Sequence, residues 1–449
     1  MPTRTTQLRL LIPRRSLLKS AGLGVAAAGA GPVLFSPFVS RALAQTKTLS
    51  IVQWSHFVPA YDKWFDTFAR EWGTKNGVSV TVDHIPEQNI AARAAAEVAA
   101  QSGHDLFMWN GAGGPHLYRR YLVDLTSLVE GIEKKFGKAS TIGQQIAFNL
   151  DTKTWSAYPD YYINIPGMYR KDLWDEIGML PDTWDNLRIG GAKLKKKGHP
   201  VGMSLARSND PNLAWRAVLW SYGGAVQDKT GKHVVLDSKE SVEAVKYVTA
   251  LYKEAMTSEV LSWNDASNNQ YIDSGVGSFI LNPISAYRSA QQINPKLADN
   301  IFVLKPPKGP VRQLSGAASN AYGIWKFAKN QDTALAFLQY YADNWGEAFK
   351  ASTGYNMPIF PNIVPKPMPI LSNDPTSHPA DKLAVLQTSD EWSAVAGWPG
   401  PAWAATDEVY NNFILCDMMT KAATGALTPE DAVKWATKQT DPIFKKWLA

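Results

Sequence analysis

Thr48-Leu49-Ser50-Ile51-Val52-Gln53-Trp54 alternates in the manner of a strand, with Leu49 and Ile51 on one side and Ser50 and Val52 on the other. Phe57, Tyr61, Trp64, Phe65, Phe68 and Trp72 then recur at helical spacing and read as the core face of a helix. Gly77 ends that run, and Val78-Ser79-Val80-Thr81-Val82 reads as a second strand. An alanine-rich helix over 89–101 follows, closed by Gly103, and Asp105-Leu106-Phe107-Met108-Trp109 is a third strand. Strand, helix, strand, helix, strand at this spacing predicts a parallel α/β unit. Ligands of such sheets bind beyond the carboxyl ends of the strands, which here carry Trp54-Ser55-His56 and Trp109-Asn110-Gly111.

Outward from this unit the mixture continues. Gly167-Met168-Tyr169-Arg170 reads as a strand, 171–178 as a short helix, and Pro181-Asp182-Thr183-Trp184-Asp185 as the turn into a helix over 186–197. Gly223-Gly224-Ala225-Val226-Gln227 and His233-Val234-Val235-Leu236 read as hairpin strands around Asp228-Lys229-Thr230-Gly231. Ser238 caps a long helix that turns Val242, Val245, Val248, Leu251 and Tyr252 inward. The proline-rich stretches 305–310 and 358–379 are connections. No unit of about 20–50 residues repeats, which argues against a solenoid.

Residues 1–44 hold Arg4, Arg9, Arg14, Arg15, Lys19 and Arg41 and no acid, so the remaining 405 residues carry 40 bases against 40 acids. A near-neutral mature chain argues against nucleic acid as a partner. Pro13-Arg14-Arg15-Ser16-Leu17-Leu18-Lys19, an Ala/Gly-rich middle and Ala42-Leu43-Ala44 follow the order of a secretory signal, with cleavage expected near Ala44-Gln45. The paired arginines resemble the twin-arginine type, although Pro13 and Leu17 depart from the commoner residues there. Gly22, Gly24, Gly29, Gly31, Pro32 and Pro37 make the segment a poor bilayer helix, so no stable membrane insertion is expected. The single cysteine, Cys416, excludes an intrachain disulfide and reads as a small core hydrophobe. An exported chain with no lipid-bearing cysteine near the leader is expected in the periplasm. Its length is too great for one core and predicts two lobes.

The sequence contains no H-E-x-x-H, no G-x-S-x-G and no Walker A loop, and the seven histidines show no ligand-like pairing. No catalytic residue, metal or cofactor is assigned. What stands out is 17 Trp and 17 Tyr. A sugar must exchange its water hydrogen bonds for protein ones, since an unpaired buried hydroxyl costs roughly 1–3 kcal/mol, while its C–H faces pack on flat rings. Trp54 with His56, and Trp109 with Asn110, supply that mixture at the strand tips. Trp398-Pro399-Gly400-Pro401-Ala402-Trp403 places two further indoles around a turn, where core packing and ligand contact are equal readings.

An ordered series of local patterns carries a resemblance over 48–449. It includes Ser102-Gly103-His104-Asp105-Leu106-Phe107, Tyr169-Arg170-Lys171-Asp172-Leu173, Pro181-x-Thr183-Trp184, Gly354-Tyr355-Asn356-Met357-Pro358 and Leu427-Thr428-Pro429-Glu430-Asp431-Ala432. The chain resembles the family 1 extracellular solute-binding proteins of ABC importers, of the maltose-binding-protein-like, carbohydrate type. The resemblance implies an α/β, two-lobed periplasmic binding protein fold (type II), with a ligand cleft between lobes joined by crossing segments. Lobes of 45–160 plus about 316–355 and of 161–315 plus about 356–449, with a surface-wrapping tail, are expected. So are a carbohydrate cargo (mono- or oligosaccharide, or polyol), an ABC permease as partner, a monomeric state and no enzymatic activity.

Residue by residue, the resemblance makes Trp109 a stacking aromatic and adds Tyr162 and Asn164 from the first crossing segment. Maltose-type members have an acid near Ile163, so the chain departs there. Asp210 and Asn212 match a ligand loop, and Asn282 stands in a loop that lacks the usual glycine and tryptophan, a platform that Trp263 can replace. Other cargoes for the same fold are a polyamine, which needs clustered acids, and a phosphorylated polyol or sulfonated sugar, which needs Arg207, Arg288 or Arg312 facing inward. A secreted carbohydrate-active enzyme is a further alternative.

Overall fold

The computed structural model describes residues 47–111 and 114–449; the expected leader and its cleavage point lie outside the described residues. The alternating stretch is the strand Lys47–Trp54, flanked by two parallel neighbours, Val78–Ile85 along its length and Leu106–Asn110 near its centre. The aromatic run is the helix Pro59–Asn76, with proline in its first turn and Gly77 at φ 66° beyond its last. Proline at the start and a left-handed glycine at the end are low-cost helix boundaries. Tyr61, Phe65 and Trp72 are buried on the sheet, and Phe65 stacks on Tyr322 at 6.3 Å. The alanine-rich helix spans Ile90–Ala100 behind a 3-10 turn, Glu87–Asn89.

The large sheet runs in the order Met357–Pro358, Tyr158–Asn164, Ser315–Ile324, Leu106–Asn110, Lys47–Trp54, Val78–Ile85, with Ser393–Ala394 pairing Ser315–Ile324. Tyr158–Asn164 and Ser315–Ile324 are antiparallel and buried throughout. A second sheet runs Ile301–Leu304, Gly167–Arg170, Phe279–Leu281, Val201–Gly202. The chain changes sheets across Ile165-Pro166 and again between Leu304 and Ser315. This is an α/β fold of two lobes, one around each sheet.

Gly316 sets how closely the helix Asn209–Ser221 lies on the crossing strand: a Cβ there would stand 2.7 Å from the Leu213 carbonyl oxygen. That approach carries the start of the helix to the end of the large sheet.

The hairpin expected over 223–236 is present in reduced form, with the Asp228 N–H donating to the His233 carbonyl and the Val235 N–H to the Val226 carbonyl, each at 3.0 Å. Those residues make one antiparallel bridge, Gln227 with Val234. Gln227 is fully buried and its side-chain nitrogen donates to the carbonyls of Gly397 and Pro401, at 2.8 Å for the latter. The segment is thereby tied to the neighbouring turn instead of extending a ladder.

The proline-rich connection after Pro358 is fastened from the helix Ser285–Ile293. Arg288 pairs with buried Asp374 and donates to the Thr353 carbonyl at 2.7 Å. The Tyr287 hydroxyl donates to Ser377 at 2.9 Å, and Ser377 donates on to Asp374 at 2.7 Å. Cys416 is fully buried, as its apolar run predicts, and burial pushes its thiol up to about 12. Among the described residues no helix is long and apolar enough to cross a membrane.

Candidate functional site

A cavity of about 580 Å³ opens at the carboxyl ends of the three parallel strands. Phe57 follows the first strand, Glu87 follows the second, and Trp109 and Asn110 end the third. The facing wall comes from Asn209 at the start of the helix Asn209–Ser221, from the loop holding Asn264 and Asp265, and from Phe413. A smaller cavity shares Phe57, Glu87, Asn110 and Asn209 with the first and reaches inward to Trp54, Ile163, Asp210 and Tyr355. The Asn209 amide donates to Glu87 across the gap.

Of the residues singled out in the sequence, Trp54, Trp109, Asn110 and Asp210 are brought together on these walls. Trp54 is held by its indole N–H, which donates to the Tyr161 hydroxyl at 3.0 Å. His56 lies behind it, buried, with Nε2 at 2.9 Å from Asn356 Oδ1. Burial lowers its pKa to about 4, against the pull of those hydrogen bonds, so it is neutral near pH 7.

The remaining candidates stand elsewhere. Tyr162 meets Ser389 at 2.9 Å and lines a separate cavity of about 520 Å³ with Trp398. Strand alternation puts Asn164 on that same face, whereas Ile163 and Ile165 face the cleft. Asn212 is fully buried and donates to the Tyr410 carbonyl at 2.9 Å. Asn282 is enclosed and donates to Asn269 at 2.7 Å and to the Pro283 carbonyl at 3.0 Å. Trp263 packs on Tyr271 with ring centres 4.8 Å apart. Trp398 lies under the Arg312 guanidinium at 4.5 Å, and the Trp403 N–H donates to Gln227 at 2.9 Å. These tryptophans have neighbours that account for them without a ligand.

The cleft has two chemical halves. On the sheet side, Asn320 stands directly opposite Asn110 in register and on the same strand face as Ala318, which lines the inner cavity. The Trp109 indole N–H is buried without a partner on the opposite strand face, against Phe107 and Trp325; on the cavity side, the amide oxygen and nitrogen of both asparagines are buried without a hydrogen-bond partner among the described residues. Buried polar atoms are ordinarily satisfied, so this group is suited to hydroxyls presented from the cavity. On the other side stand Glu87, Asp210 and Asp265. The Asp265 carboxylate accepts the backbone N–H of Asp210 at 2.9 Å and of Asn209 at 3.2 Å, capping the helix from outside. Burial raises Glu87 to about 8, with Asp265 adding to the shift, and burial with Asp265 and Glu87 raises Asp210 well above the usual carboxylate range.

Glu87 was within reach of sequence reasoning, because it follows the second strand as Ser55 follows the first. Asp265 was hidden beside Trp263, and Phe413 in an apolar run. Phe413 holds φ 54°, a left-handed conformation costly for a side chain with a Cβ. Phe413→Gly should therefore leave the melting temperature unchanged or raised while weakening ligand binding roughly tenfold, a loss near that of one aromatic contact. Loss of stability with intact affinity would contradict this role.

No curated protein matches the sequence. Solved structures do match in fold. Maltose-bound MalE3 of T. maritima is 20% identical, with 88% of this chain and 99% of that chain covered, at a TM-score of 0.73. An ABC transporter solute-binding protein from Thermotoga lettingae bound with α-D-tagatose is 18% identical, with 89% and 100% covered and a TM-score of 0.73. Another from Agrobacterium radiobacter, in complex with ribitol, is 17% identical, with 88% and 98% covered and a TM-score of 0.73. Residues 56–347 match the family model described as bacterial extracellular solute-binding protein, and with its two-lobed α/β fold the chain belongs to that family.

Proposed function

We propose that the mature chain captures a small polyhydroxylated solute, a mono- or oligosaccharide or polyol, in the cleft and delivers it to an ABC permease. The observation that carries this reading is the cavity of about 580 Å³, lined in part by Trp109, whose walls combine the aromatic residues Phe57 and Phe413 with Asn110, Asn209 and Asn264. Rings pack against C–H faces and amides exchange hydrogen bonds with hydroxyls. That three structures of like fold hold maltose, tagatose and ribitol supports the same class of cargo.

In this reading 45–160 with about 316–355 forms one lobe, and 161–315 with about 356–449 the other. A solute touching both lobes favours the closed arrangement by its differential affinity. No covalent step enters the cycle. Residues 1–44 act as a twin-arginine-type leader that delivers a monomer to the periplasm, and His56, Tyr162, Asn164, Asn212, Trp263, Asn282, Trp398 and Trp403, expected from the sequence to meet the ligand, stand outside the two adjoining cavities. A thermal-shift screen of saccharides and polyols tests the reading. A ligand at 100 times its Kd should stabilise by about 2.7 kcal/mol. Turnover of any saccharide would sink it.

A further inference from the structure

We propose that the cargo carries a protonated amine, as in an amino sugar or an aminated polyol, with its ammonium group seated among Glu87, Asp210 and Asp265. This rests on the solute-capture reading and narrows it.

The three acids come from three separate elements: the turn after Val78–Ile85, the first turn of Asn209–Ser221, and the loop before Ser267–Asp273. Glu87 lines both adjoining cavities, Asp265 the larger and Asp210 the smaller. Their partners are neutral. Asn209 donates to Glu87, Asn268 donates to Asp210 at 2.6 Å, and backbone N–H groups donate to Asp265. Arg207 is the one cationic side chain among the residues lining the larger cavity, and its guanidinium is engaged by Asp417, with Nε at 2.8 Å. Like charges this close in a low-dielectric site demand protons or a counter-cation. Among the described residues no group of three acids, histidines or cysteines is placed to hold a metal ion. An ammonium group instead brings three donors and one charge to spread over separate carboxylates.

The asparagine pair supplies the second, independent indication of a ligand. Asn110 lines both cavities and both atoms of its amide are buried without a partner among the described residues, and Asn320, 0% exposed and equally unpartnered, stands opposite it in register. A protonated unbranched polyamine carries donors only and would leave the amide nitrogens without an acceptor, whereas the hydroxyls of a sugar both donate and accept. Phosphorylated or sulfonated cargo would be repelled by the acids, and the cation it needs is already taken.

The test is calorimetric titration of the chain lacking residues 1–44 with matched sets on one carbon skeleton. Glucose, glucosamine and N-acetylglucosamine form one set; sorbitol and 1-amino-1-deoxysorbitol form another; cellobiose and its 2-amino counterpart form a third. In at least one set the aminated member should bind tenfold or more tighter than its hydroxyl and N-acetyl forms. The advantage should vanish in a Glu87→Gln, Asp265→Asn double variant whose thermal melt is cooperative. If that variant does not fold, Glu87→Gln alone should reduce the advantage at least threefold. Hydroxyl forms binding as tightly as aminated ones would overturn the amine proposal and leave the solute-capture reading standing. Spermidine binding more tightly than every aminated sugar would overturn it in favour of a polyamine. No binding by any member of any set would overturn both.

Discussion

Asp374→Ala should destabilise the protein by about 3–5 kcal/mol, the range for removing one partner of a buried ion pair. The cost arises because the Arg288 guanidinium, itself buried, loses its counter-charge while keeping only the Thr353 carbonyl and the Gln291 side chain. The same carboxylate accepts from Thr376 and Ser377, so the proline-rich connection would lose its fastening to the helix Ser285–Ile293. Burial alone would raise the Asp374 pKa; the hydrogen bonds from Ser377 and Thr376 together with Arg288 outweigh it and hold it at about 2. A folded value below the unfolded carboxylate, near 3.9, means that the contribution is present above about pH 4 and is lost as pH falls toward about 2. Urea melts of wild type and variant should therefore converge as the medium is acidified. A constant gap down to about pH 2 would show that the charge is not what stabilises this junction.

Trp109→Ala should cost about 3–5 kcal/mol of stability and abolish measurable ligand binding. The ring is 2% exposed and packs on Phe107 at 4.9 Å, Trp325 at 5.3 Å and Tyr118 at 6.2 Å. Gly323 makes room for it, since a Cβ there would stand 2.5 Å from the indole. Trp109→Phe separates framework from recognition. It keeps an aromatic body in the same slot but removes the indole N–H, which is buried without a partner among the described residues. Its stability should fall by only about 1–2 kcal/mol, while affinity falls roughly tenfold, the worth of one ligand hydrogen bond. Calorimetry together with thermal melts reads both quantities. An unchanged affinity in the phenylalanine variant would leave the indole nitrogen without a role in binding.

The strands over 47–54 and 78–85 were legible because each carries its own alternation, and a parallel pair between helices needs little else. The central crossing strand was not. Ser315-Gly316-Ala317-Ala318-Ser319-Asn320-Ala321 has no β-branched residue, and its conformation is imposed by partners on both sides, 158–164 and 106–110. The site divides in the same way. Trp109 and Asn110 could be found from their place at a strand end, and Glu87 obeys the same rule one strand over. Asp265 and Phe413 meet them only through long-range folding. Along 158–164 a step of one residue decides everything: Ile163 faces the cleft while Tyr162 and Asn164 face away.

The most direct measurement of the central claim is a titration of wild type and Asn110→Leu with the saccharide or polyol that gives the largest thermal shift, followed by mass analysis of the recovered ligand. One molecule bound per chain, returned unaltered, with affinity at least a hundredfold weaker in the variant, is the outcome expected from the buried, unpartnered Asn110 amide on the wall of both cavities. Equal affinity in the two proteins, or a chemically changed ligand, would contradict it.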